Sequence, residues 1–316
     1  MHIYVNAATD TTSRSALLSV AGQDSFFFGS QETNTEESLS ALSRSEVVYG
    51  SLTREELTSA GDLEWLQLDS VGLDSLDSDT PWPGRRAIQL TNLGHLGCDA
   101  VADTALAGIL ALTRGIYDLT VLKERLEWRS GTFRSSLRLL APAQVLLVGY
   151  GAIGQAVKTR LEGFGCTDII HIRRSPMAGE ASLADLASLL PASDLVISSL
   201  PSTSETRGLF NERCLLAFRP GSYFVNVGRG DVLDERALVQ AVKSGHLAGA
   251  VLDVTLDEPL QRASPMWGIP NLLLTQHTAG GATRELVSKA ELFTENLGRY
   301  RVGLPLLHRV DLSRGY

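Results

Sequence analysis

Gln144-Val145-Leu146-Leu147-Val148-Gly149-Tyr150-Gly151-Ala152-Ile153-Gly154-Gln155 is the stretch whose reading decides the fold. Its first five residues carry little polarity, the pattern of a strand buried on both faces of a parallel sheet. The next six read Gly-x-Gly-x-x-Gly, and a helical pattern over 155–164 follows. Between a strand and a helix each glycine has a task. Gly149 makes the tight turn, Gly151 lets a pyrophosphate approach the backbone, and Gly154 allows close packing of helix on strand. The helix start adds free N–H groups and the positive end of its dipole. Gly149, Tyr150, Gly151, Ala152, Ile153 and Gly154 together read as a cradle for dinucleotide phosphates.

Downstream, strand-like runs recur at 169–172, 195–199, 223–227, 248–252 and 272–275, with helical patterns between them. That alternation is the signature of a doubly wound α/β sheet. A last helical pattern covers 284–301, and a long one covers 98–127, with Val101, Ala105, Ile109, Leu112 and Ile116 on one face. Residues 130–136 break it. Upstream, residues 2–6 alternate as a strand does, and Thr53-Arg54-Glu55-Glu56 reads as a capping box opening a short helix. A strand over 64–68 and a loop at Ser70-Val71-Gly72 complete a smaller α/β unit of about 95 residues. The stretch 74–81 is polar and rich in turn formers, hence a loop.

The end of the second strand chooses between cofactors. A site for NAD places an acid about 20 residues after the glycines, on the ribose 2′-hydroxyl. Here the strand runs into Arg173-Arg174-Ser175. A guanidinium grips a 2′-phosphate through paired, charge-assisted hydrogen bonds, whereas a carboxylate would repel it. NADP is the expected cofactor, with NAD possible.

Composition narrows the class. The chain has 316 residues, 44% of them hydrophobic and 20% charged, room for two domains, or one large one, of ordinary globular make-up. Lys and Arg number 28 against 36 Asp and Glu, a net charge of −8. That balance argues against nucleic acid or an anionic membrane as partner. The three cysteines, Cys98, Cys166 and Cys214, are odd in number and form no CxxC, so neither a disulfide framework nor a metal site is expected. No apolar run reaches the roughly 18 residues of a membrane span. The start, Met1-His2-Ile3-Tyr4, lacks the basic segment of a signal peptide. A cytoplasmic protein is the expectation.

Three ionisable residues follow three successive strands: Arg229 in Asn226-Val227-Gly228-Arg229-Gly230, Glu258 in the run 253–260, and His277 in Thr275-Gln276-His277-Thr278. Ligands of open α/β sheets bind at such strand ends. In these motifs the chain resembles the D-isomer-specific 2-hydroxyacid dehydrogenases, and among them the NADP-using glyoxylate/hydroxypyruvate reductase-like members. The resemblance spans nearly the whole chain and is strongest over 145–281. The run 200–209 is similar to the family's loop beside the cofactor. Residues 66–74 are similar to its first-domain substrate loop, and 102–107 to the start of its dimerising helix.

The resemblance implies two Rossmann-like domains. Residues 98–281 would form a doubly wound parallel-sheet domain that binds the dinucleotide. Residues 1–97, with 282–316 returning to them, would form a smaller flavodoxin-like substrate domain. It implies an oxidoreductase reducing a small 2-oxo acid to the D-2-hydroxy acid, and a homodimer. Arg229 would hold the substrate carboxylate and C2 oxygen, His277 would act as the acid, and Glu258 would favour its imidazolium form. Val71 and Gly72 would clamp the carboxylate. Leu200, Pro201, Thr206, Val227, Asp253 and Gly280 would line the cofactor, with Asp253 near the nicotinamide and Thr206 near the ribose-phosphate. Two other readings stay open: an NAD(P)-sensing binding protein of the same fold, and a short phosphoglycerate dehydrogenase. The chain departs from the family pattern at Gln276, where proline is usual, and at Thr278, Thr255 and Asp103. It also lacks the usual glycine in 140–143. Gln276 and Thr278 flank His277 and bear on substrate preference.

Overall fold

A computed structural model describes residues 1–29, 36–73, 76 and 88–311. The chain divides into two compact units. One combines Met1–Leu96 with Ala282–Tyr316, and the other is the continuous segment Gly97–Gly281.

The first unit is built on five parallel strands, β1 (His2–Val5), β2 (Ser25–Phe28), β3 (Val47–Tyr49), β4 (Trp65–Gln67) and β5 (Gln89–Thr91), in the order β2-β1-β3-β4-β5. This is the flavodoxin-like order. Successive side chains of a strand point to opposite faces, so Tyr4, Val48 and Leu66 pack on one side of the sheet. Ile3, Val5, Tyr49 and Trp65 pack on the other. The second face is covered by the helix Glu285–Arg301, whose Phe293 stacks on Tyr49 at 4.6 Å and on Trp65 at 5.3 Å. Beside that stack lies a buried polar chain. Trp65 donates to the Thr91 hydroxyl, which donates to Gln67 Oε1, and Asn296 Nδ2 donates to the same oxygen at 2.9 Å. Two short helices begin as their sequences direct: Asp10 and Thr53 each form a capping box, with Ser13 and Glu56.

The second unit has six parallel strands, β6 (Gln144–Val148), β7 (Asp168–Ile172), β8 (Leu195–Ser198), β9 (Ser222–Asn226), β10 (Leu247–Leu252) and β11 (Leu272–Leu274), in the order β11-β10-β9-β8-β6-β7. The helices Cys98–Thr113 and Ala152–Gly163 pack on one face. The helix Glu235–Lys243 packs on the other, through Leu238, Val239, Ala241 and Val242. The winding direction changes between β6 and β8, and their carboxyl ends flank the crevice where doubly wound sheets hold ligands.

Three readings of the sequence need correction or restriction. The helical pattern over 98–127 is two helices, Cys98–Thr113 and Ile116–Glu124, bent by 67°. Gly115 between them has φ +64°, a left-handed conformation that ends the first helix. Ile116 is consequently 53% exposed and leaves the buried face that holds Ala105 and Ile109. Residues 130–136 contain a short helix, Ser130–Arg134. The loop expected at 74–81 lies outside the described residues apart from Leu76. Among the described residues no single helix is long and apolar enough to cross a membrane.

Candidate active site

β6 delivers the chain into Gly149, which has φ +101° and lies against Ser199 after β8; the Ser199 hydroxyl donates to its carbonyl at 3.1 Å. The helix Ala152–Gly163 then starts from Gly151 with no side-chain cap. A Cβ on Gly154 would lie 2.4 Å from the Gly149 carbonyl oxygen, so helix and turn meet at backbone distance. A Cβ on Gly151 would meet nothing within 4 Å. Open space above uncapped N–H groups is what a phosphate needs. The residues therefore fit a bound dinucleotide. Across the crevice Leu200 is buried, and Thr206 folds the loop on itself. Its hydroxyl donates to the Pro201 carbonyl at 2.6 Å and accepts the Thr203 N–H at 2.9 Å.

At the end of β7 the two arginines sit among groups that sequence reasoning missed. The Tyr150 ring stacks on His171 at 3.8 Å, and the Arg173 guanidinium lies 5.4 Å from the Tyr150 ring centre. Glu180 approaches His171 Nε2 at 3.2 Å and Arg173 at 3.6 Å, and it accepts the Met177 N–H at 2.9 Å. That backbone bond, then His171, holds the Glu180 carboxyl below the usual carboxylate range. Arg174 pairs with Glu205 at 3.3 Å. Ile172 bridges to Ala181, which returns Glu180 to the strand end. No local pattern announces that return.

The three ionisable residues occupy loops after β9, β10 and β11. The Arg229 turn is shaped by buried Asn226, whose amide donates to the Arg229 carbonyl at 2.8 Å and whose oxygen accepts the Gly228 N–H at 3.2 Å. Glu258 and His277 are brought together: Nδ1 of the imidazole lies 2.6 Å from Oε2 of the carboxylate. The other carboxylate oxygen accepts the Thr255 N–H at 2.9 Å. With Nδ1 engaged, Nε2 is the ring nitrogen left to exchange a proton.

The loop that carries His277 is held by Asp253. Its carbonyl accepts the His277 N–H at 2.6 Å, and its buried carboxylate accepts from the Thr275 hydroxyl (2.5 Å), the Thr278 N–H (3.1 Å) and the Ala279 N–H (3.2 Å). Gln276 and His277 both have positive φ, +56° and +55°. Such a conformation costs about 1–2 kcal/mol per residue, and the Asp253 bonds offset it. Proline, fixed near −65°, cannot stand at 276 in this loop, so the departure at Gln276 matches the backbone. Val227 is buried beside the Arg229 turn, and Gly280 follows the His277 loop. Val71 and Gly72 belong to the first unit, where their carbonyls are tied by Asn92 and Ser70 at 2.8 Å. Among the described residues no group of three or more His, Cys, Asp or Glu side chains could hold a metal ion.

The family model "D-isomer specific 2-hydroxyacid dehydrogenase, NAD binding domain" matches residues 106–279. The chain is 33% identical over 267 residues to a glyoxylate reductase of Thermococcus litoralis, a match covering 81% of this chain and 80% of that one. The chain belongs to the D-isomer-specific 2-hydroxyacid dehydrogenase family. It is likewise 30% identical over 293 residues to a glyoxylate/hydroxypyruvate reductase of Arabidopsis thaliana, covering 89% and 90% of the two chains. A solved D-isomer-specific 2-hydroxyacid dehydrogenase from Xanthobacter autotrophicus Py2, in complex with NADPH and MES, superimposes with a TM-score of 0.82 at 28% identity over 99% of both chains. As a 2-hydroxyacid dehydrogenase the protein is an oxidoreductase of the NAD(P)-binding Rossmann class.

Proposed function

We propose that this 2-hydroxyacid dehydrogenase reduces a small 2-oxo acid, of the glyoxylate or hydroxypyruvate kind, to its D-2-hydroxy acid with NADPH. The observation that carries the reading is the Glu258–His277 pair at 2.6 Å in the sheet that also bears the glycine cradle and Arg229. When bound, the nicotinamide supplies the hydride that C2 receives. The planar fork of Arg229 binds the substrate carboxylate and the C2 oxygen, and stabilises negative charge developing on that oxygen. His277 delivers a proton to it from Nε2, while Glu258 balances the imidazolium through Nδ1. Backbone N–H groups at Val71 and Gly72 receive the carboxylate. The unit holding 98–281 is assigned to the cofactor, and 1–97 with 282–316 to the substrate.

Preference for NADPH over NADH is assigned to Arg173 and Arg174 on the 2′-phosphate. Both guanidiniums face carboxylates, Glu180 and Glu205, and phosphate binding would compete with those pairs. A homodimer formed along the long helix is proposed as well. Ile116, Leu126 and Trp128, beyond that helix, are 53, 95 and 92% exposed, an apolar display that association would cover. We place the enzyme in the cytoplasm, in keeping with its unpaired cysteines.

A panel of 2-oxo acids assayed with NADPH and NADH in parallel tests the reading. Turnover of glyoxylate or hydroxypyruvate with NADPH is the expected result. Failure of every 2-oxo acid with both cofactors retires it.

A further inference from the structure

Glu235 is the first residue of the helix Glu235–Lys243 and has no part in the mechanism above. Its Oε1 accepts the N–H of Leu256 at 2.7 Å. The other side of that same peptide rests on Gly230, the residue after Arg229. A Cβ there would lie 2.0 Å from the Thr255 carbonyl oxygen and 2.6 Å from the Leu256 nitrogen. The Thr255–Leu256 peptide is thus clamped between the arginine turn and the helix start. From this peptide the loop turns directly to Glu258. The Thr255 N–H donates to Glu258 Oε1 at 2.9 Å, and the Thr255 hydroxyl closes the turn on the Asp257 carbonyl at 2.9 Å. The second oxygen of Glu258 is the one that meets His277.

The helix start is itself fixed. Asp234 caps it at the Ala237 N–H (3.0 Å), and Leu238, Val239, Ala241 and Val242 are buried. Glu235 is therefore a rigid post, and the Glu258 loop hangs from it by a backbone bond. Its carboxyl is half-buried. Burial, together with Asp257, Asp234 and Glu258, raises it above the usual carboxylate range. A carboxyl kept at such a place needs a task that a neutral apolar residue could not perform, and the Leu256 N–H supplies one.

We propose that Glu235 is a positioning residue for the reduction, holding the Thr255–Leu256 peptide so that Glu258 meets His277; this rests on Glu258 and His277 being the acid pair. Misplacing a catalytic group by ~1 Å costs up to about 10²-fold in rate, and this loop sets the distance.

Three substitutions test it. Glu235→Ala removes the acceptor, Glu235→Asp withdraws it by one methylene, and Glu235→Gln keeps an oxygen in place without the charge. Glu235→Ala and Glu235→Asp are expected to lower kcat for 2-oxo acid reduction by about tenfold or more with KM for NADPH unchanged, and Glu235→Gln to recover most of the loss. Combined with Glu258→Gln, Glu235→Ala should add nothing further, because both act through one contact. The Nδ1 proton of His277 gives a readout independent of turnover. Its strongly hydrogen-bonded nuclear magnetic resonance signal should be lost in Glu258→Gln, Glu235→Ala and Glu235→Asp, and kept in Glu235→Gln.

Wild-type kcat in Glu235→Ala, additive losses in the double variant, or an Nδ1 signal unmoved by Glu235→Ala and Glu235→Asp would each overturn the proposal. A protein that turns over no 2-oxo acid, yet loses the signal in Glu235→Ala and keeps it in Glu235→Gln, upholds the positioning role and retires the substrate assignment instead. A signal lost in Glu258→Gln but indifferent to residue 235 leaves the acid pair standing and removes Glu235 from it.

Discussion

Nδ1 of His277 and Oε2 of Glu258 stand 2.6 Å apart, on loops that leave two neighbouring strands of one sheet. In the proposed reaction the C2 oxygen takes up a proton, which His277 would supply. Glu258→Gln replaces the carboxylate on Nδ1 by an amide and should lower kcat for reduction. His277→Asn should slow reduction by roughly 10²–10⁴-fold, with NADPH binding retained. Near-normal turnover of His277→Asn would assign the proton to another group.

Cofactor choice should follow the arginines. Arg173→Asp is expected to weaken NADPH binding by about 1.5–3 kcal/mol while NADH is little affected, read from dissociation constants by nicotinamide fluorescence. Glu205→Gln should do the opposite and more weakly. Its exposed pair with Arg174 is worth about 0.2–1 kcal/mol, and removing that one competitor should tighten NADPH by no more than this.

Asp24 links the turn before β2 to the last helix, accepting from Arg301 Nη2 at 2.7 Å and Nε at 3.0 Å. Burial works to raise the Asp24 carboxyl, but Arg301 and the Met1 ammonium, 3.0 Å from Oδ1, together outweigh it and hold the group below the usual carboxylate range. A carboxyl lowered in the folded state contributes stability above its unfolded value, and that stability is lost as pH falls through the folded one. Asp24→Asn should therefore cost on the order of 1 kcal/mol at neutral pH. Urea melts of the two proteins should converge as the solution is acidified.

Light scattering at micromolar concentration should report a dimer. Trp128→Ser and Leu126→Ser together should shift it towards monomer at lower concentration, because they remove apolar area that association would cover. A wild-type protein that stays monomeric would dismiss the proposed use of that surface.

The second unit was legible because its strands are nearly unbroken apolar runs, a pattern that burial on both faces imposes. The glycine loop and the loops of Arg229, Glu258 and His277 could then be read as strand ends. The first unit hid more. β2, β3 and β5 are three or four residues long, too short for alternation to stand out against chance. The break at Gly115 went unseen because an isolated glycine in an apolar helical pattern is often tolerated. Glu180, Glu205 and Glu235 were invisible for a different reason. Each acts on a residue far along the chain or across a returning loop, and nothing in the adjacent sequence distinguishes them from solvated acids.

The first unit is assembled from both ends of the chain, and this sets the order in which a ribosome can complete it. Residues 97–281 are continuous and can fold as soon as they emerge. The face of the first sheet that carries Tyr49 and Trp65 waits for Phe293, about 230 residues after Trp65 leaves the ribosome. At about 5–20 residues per second that wait lasts roughly ten seconds or more, during which an aromatic surface stands uncovered and open to chaperones or to misassembly. A message truncated just after codon 281 would thus yield a finished cofactor unit joined to a sheet without its cover.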